Sequence, residues 1–207
     1  MNWFKKRPPS FLKALQKSLP DNFTLPIEIS NFMKWLEAEK QVYQFKRTQE
    51  LFLPTIPVKS MDQLWSHFAF VIEPNLVRNW FGKKGLEERL VPLVKCGADG
   101  SHLAIWKNGK SSSYVFLGSE GEAFTVTKDV RSFLVFITMG YVSVEGNFSL
   151  SSPPKEHINC HTNWTKLSYV QNHIKNTYEV SYPEIAADLI ENFEDDPFTK
   201  FVEITCS

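Results

Sequence analysis

His157, Cys160 and His161, in the run HINCH, carry side chains that bind zinc, and Cys206 offers a further thiolate. Structural zinc draws two ligand pairs, and no CxxC or HxxxH partner stands elsewhere in the chain. These are therefore expected to be loop residues without a metal; a small metal- or thiol-dependent enzyme built on them is the alternative. A cysteine nucleophile with a histidine base can be drawn from Cys96 or Cys160 and any of the five histidines, a choice too free to single one out. Cys96 follows an apolar run, where a buried, inert thiol is the default. No Gly-x-Ser-x-Gly elbow is present. The adjacent pairs Glu87-Glu88 and Asp195-Asp196 would not face each other on a helix. No catalytic residue, metal ligand or cofactor is assigned from the sequence.

The stretch 97–122, GADGSHLAIWKNGKSSSYVFLGSEGE, holds five of the nine glycines. Calcium would need several oxygen ligands at alternate positions, whereas Asp99 stands alone in its turn. Gly109-Lys110-Ser111 has the letters of a phosphate loop but follows Asn108 in what reads as a hairpin, not at a helix start. Turn chemistry accounts for the stretch: strands over Leu103–Lys107 and Tyr114–Leu117, with a second turn at Glu120-Gly121. The acidic run Glu191, Glu194, Asp195 and Asp196 falls near the end of an expected helix, where it opposes the helix dipole. It reads as a hydrated helix end or as a contact for a basic partner.

The elements around these residues follow from periodicity. Ser10 precedes a helix over FLKALQKSL, and Pro26 opens a second over IEISNFMKWLEAEK, with Ile29, Phe32, Met33 and Leu36 on one face. Residues 42–58 read as extended. Ser60 caps an expected helix over MDQLWSHFAF, and 75–82 suit a short helix ending at Gly82. Leu90–Val94 is a strand whose proline implies an edge or a bulge. Thr127 and Asp129 start a helix over DVRSFLVFITMG. A connecting loop over 145–165 leads to two more helices, one capped by Ser168 and one by the box Ser181/Glu184 before EIAADLIENF. Helices, then a run of antiparallel strands, then helices is an α+β layout.

The 207 residues suit a single domain with a real core, the tail packing on it as an extension. Lys+Arg and Asp+Glu balance at 23 each, so charge gives no case for nucleic acid or membrane as partner. The longest apolar run, FLVFITMGYV, falls short of a membrane span, and no export signal follows the basic N-terminus, so a cytoplasmic protein is expected. Three widely spread cysteines suit reduced thiols.

GADGS followed by Ala-x-Trp, then YVFLGSEGE and a DVRSFLVFITMGY helix, resembles the bacterial branch of the SUKH superfamily. That superfamily comprises toxin-immunity proteins and fungal cell-wall synthesis regulators. The likeness runs over about residues 19–202, centred on 90–141, with 19–141 as the family core and 142–207 as a C-terminal extension. It implies a twisted, mostly antiparallel sheet with helices packed against it, and an activity that is stoichiometric binding of a cognate protein toxin, encoded by a neighbouring gene. The alternative within the family is a regulatory or scaffolding module without a toxin. Gly97, Asp99, Gly100, Trp106, Gly118, Glu120 and Gly121 match the family pattern. The glycines and Asp99 are expected to shape turns; Trp106, Glu120, Glu122 and the acidic run are the candidates for a partner surface. The chain departs from its relatives in passing straight from Asp-Gly-Ser to His102, and its neutral charge does not suit mimicry of a phosphate backbone.

Overall fold

The structure, a computed structural model, describes residues 8–45, 47–58, 68–97, 99–144, 150–156, 164–191 and 195–206. Ser10 caps α1 (Phe11–Ser18), its hydroxyl accepting from the Lys13 amide, and also donates to Glu37 of α2 (Ile27–Ala38). Both helices bury the stripe that their spacing marks: Phe11, Leu12 and Leu15, then Ile29, Phe32, Met33 and Leu36. Seven strands follow: β1 (Tyr43–Gln44), β2 (Leu51–Pro54), β3 (Ala69–Val71), β4 (Leu90–Lys95), β5 (His102–Asn108), β6 (Ser111–Leu117) and β7 (Ala123–Thr127). They pair antiparallel in chain order, a meander, so the fold is α+β.

Strand alternation assigns the side chains to two faces. Leu53, Phe70, Val94, Leu103 and Phe116 are register partners on one face, packed with α1, α2, α4 (Val130–Ile137) and α5 (Trp164–Tyr178). Leu90, Ala104, Trp106, Val115 and Leu117 point the other way, under α3 (Leu76–Phe81) and α6 (Pro197–Cys206). Pro92 lies in a central strand, yet β3 pairs with β4 only at Val94 and Lys95, so no strand asks the proline for a donor. The expected bulge sits beside it, between Pro92 and Val94. No helix among the described residues is long and apolar enough to cross a membrane.

Several expectations are corrected. Ala69 and Phe70, read as the end of a helix, form β3, because strand partners on both sides override local propensity. The rest of that helix, with Ser60, lies outside the described residues except Phe68. The hairpin loop is Gly109-Lys110, one residue later than Asn108-Gly109, since Asn108 pairs with Ser111. Only the glycine has positive φ, the pattern of a II′ rather than a I′ loop. Ser168 lies inside α5, which starts at Trp164. The Ser181/Glu184 box opens no α-helix: Ala186–Leu189 is a single 3-10 segment, where the Ala186 amide is tied to the Tyr141 hydroxyl at 2.9 Å. In its place the tail carries α6, which periodicity did not mark.

Candidate functional site

The glycine-rich turns come first. Asp99 accepts from the Ser101 amide (3.0 Å), the Ser101 hydroxyl (2.8 Å) and the Ser119 hydroxyl (3.0 Å), so one carboxylate knits the β4–β5 turn to the β6–β7 turn. Burial works to raise its carboxyl, but these hydrogen bonds prevail and hold it below the usual carboxylate range. Gly100 (φ +105°) and Gly121 (φ +94°) adopt left-handed backbone that other residues resist. Gly97 and Gly118 have ordinary φ; a Cβ at 97 would strike the Asp99 carboxylate that the serines hold in place, and one at 118 would push aside the exposed Glu122 carboxylate. The turns thus serve the fold, as their chemistry implies.

Beside them sits His102, only 2 % exposed. Its Nδ1 lies 2.6 Å from the Gly100 carbonyl and so must carry a proton. Nε2 lies 3.4 Å from Glu73 Oε1 and makes no hydrogen bond among the described residues. Contact with His102 is the main reason that the Glu73 carboxyl is held below its ordinary range; burial opposes this and Lys95 assists.

Trp106 belongs to the interior, not to a partner surface. It is 3 % exposed beneath Phe198 (ring centroids 5.1 Å) and Phe201 (5.5 Å) of α6, and its indole N–H finds no acceptor among the described residues. Cys96 is fully buried; burial first, then the Asp99 charge, pushes its thiol up, which keeps it protonated and unreactive. Cys206 is exposed. His157, Cys160, His161 and Glu194 lie outside the described residues. Among the described residues no three His, Cys, Asp or Glu side chains cluster as metal ligands do.

The acidic run turns out to organise the sheet edge. β7 is the last strand, and an unpaired edge presents free backbone groups. The tail satisfies them: Asp196 accepts from the Thr125 amide at 2.6 Å, Thr199 Oγ1 donates to the Ala123 carbonyl at 2.9 Å, and the Glu191 amide donates to the Val126 carbonyl at 3.1 Å. Val126 is the residue skipped where the β6–β7 register shifts. Asp196 also accepts from the Phe198 amide at 3.1 Å and so caps α6, with Pro197 in the first helical position. Asp195 and Asp196 therefore stand at a helix N-terminus and favour its dipole, the reverse of the sequence expectation, because over 184–191 the expected preceding helix is replaced by a 3-10 segment. Asp195 pairs with Lys200 at 2.9 Å, an exposed contact of small worth. Glu191 pairs with Lys128 at 3.2 Å and accepts from its amide.

Along this edge runs an open groove of about 660 Å³. Phe124, Ile190 and Val202 supply its apolar lining, and Glu122, Glu191, Asp196 and Glu203 its carboxylates. Glu122 and Glu203 are exposed; Glu120 is exposed in the adjoining turn, outside the lining. The structure thus brings Glu122, Glu191 and Asp196 into the lining of one groove, which Asp99, Trp106 and Asp195 do not line. Sequence reasoning missed Thr125, Thr199 and Glu203; Asp-Pro-Phe, a cap followed by a first-turn proline, was the signal for the helix carrying two of them. Such a groove can take up apolar surface and positive charge together. No family model, curated protein or solved structure matches the chain.

Proposed function

We propose that this protein acts by stoichiometric binding of another protein, as an immunity protein that blocks a cognate toxin without chemistry of its own. The observation that supports the reading is the β7 groove, where an apolar strip lies between carboxylates of Glu122, Glu191, Asp196 and Glu203. The complementary occupant is a segment that offers an apolar side chain flanked by lysine or arginine. Among the described residues, Glu191 alone of these carboxylates has a cationic partner at ion-pair distance, Lys128. A groove of this size holds an anchor rather than a whole interface, since a stable complex buries roughly 800 Å² on each partner. Aromatic and arginine anchors in such pockets carry most of the energy, while surrounding charges set the encounter rate and its salt dependence.

Of the residues weighed for chemistry, His157, Cys160 and His161 lie outside the described residues. Cys96 is a core thiol, Asp99 a turn clasp and Asp196 a cap. The test is co-expression with the product of the neighbouring gene, followed by size-exclusion chromatography of the purified mixture. A one-to-one complex, and rescue of growth from a toxic partner, is the expected result; separate elution and no rescue would remove the reading.

A further inference from the structure

The cover over the β7 edge is built differently from the sheet that it closes. Each strand from β1 to β7 is held to its neighbour by a backbone ladder. The tail is held to β7 chiefly by side chains: the Asp196 carboxylate on the Thr125 amide and hydroxyl (2.6 and 2.7 Å), and the Thr199 hydroxyl on the Ala123 carbonyl. Its apolar anchors, Phe198 and Val202, belong to the smaller cluster on the second face and not to the main core of α1, α2, α4 and α5. Removing α6 would leave that main core intact. One buried group is also better served without α6, the Trp106 indole N–H, which water would reach.

We infer that residues 195–206 form a displaceable strap, which leaves the folded sheet as a unit; α6 is one wall of the β7 groove, so the proposed partner segment binds only while the strap is closed. The strap itself does not depend on the partner's being a toxin, so failure of the immunity reading leaves it standing.

Hydrogen exchange on the full-length protein tests this without a partner. The Thr125 amide is held by Asp196, and the Trp106 indole N–H is shut in by Phe198 and Phe201. Release of the strap as a unit opens both at once, at the same opening free energy and denaturant slope, below that of the Ile105 amide within the central strands. Asp196→Ala should speed Thr125 and Trp106 by one common factor, about thirtyfold or more, and lower the Ile105 opening free energy with them while Ile105 keeps the higher value of the two. Thr199→Val, which keeps shape and removes the hydroxyl, should do the same to a smaller degree. Two results would overturn the inference: Trp106 exchanging only with Ile105, through global unfolding, or Thr125 responding to the substitutions while Trp106 does not.

Discussion

Asp196 grips Thr125 twice, accepting from its amide at 2.6 Å and its hydroxyl at 2.7 Å across 71 positions of sequence. The same carboxylate caps α6, so one side chain closes the sheet edge and starts the helix that covers the second face. Replacing it with alanine removes a cap and strands a buried donor. Asp196→Ala is expected to destabilise the fold by about 2–4 kcal/mol, measured by urea unfolding, and Asp196→Asn by less.

Phe198 is fully buried against Trp106. Phe198→Ala leaves a void under α6 and should cost about 3–5 kcal/mol in the same assay. A loss below about 1 kcal/mol, within the range of surface substitutions, would mean that α6 is not docked on Trp106.

How much of this was legible beforehand depends on the range of the interaction. Ser10 and Asp129 mark helix starts through a bond three residues on, Pro26 and Gly82 mark helix ends through their own backbone angles, and those four helices came out near their expected bounds. Glycine turns at 100, 109 and 121 were legible for the same reason. Phe70 was not, because its strand character comes from Leu53 and Val94, distant in sequence. Neither was Ala186, which a hydroxyl from Tyr141 holds out of a helix. The acidic run could be recognised as a group, but its role needed the edge of β7, which only the folded sheet supplies.

Carboxylates with depressed pKa values make the acid limb of stability predictable. Asp99 and Glu73 both fall below their ordinary range in the fold. Each therefore stabilises the protein above the unfolded carboxylate pKa, near 4, and loses that contribution as pH falls through the lower folded value. Glu73→Gln and Asp99→Asn should each flatten the loss of stability between about pH 5 and 2, read from urea midpoints across pH. An acid limb as steep as that of the parent would contradict the assignment.

Thiol labelling separates the two described cysteines. Under native conditions iodoacetamide should modify Cys206 and spare Cys96, as peptide mass mapping would show, and denaturant should expose Cys96. Rapid native labelling of Cys96 would place it outside the core.

The central claim is that the β7 groove binds a cationic segment of a partner protein. Calorimetric titration with the purified neighbouring gene product, using the parent and the double variant Glu122→Lys/Glu203→Lys, tests it most directly. One-to-one binding by the parent that weakens with salt is expected, with a loss of at least about tenfold in affinity for the variant, whose unfolding midpoint stays close to that of the parent. Equal affinity for both proteins, or no heat of binding from the parent, would contradict it.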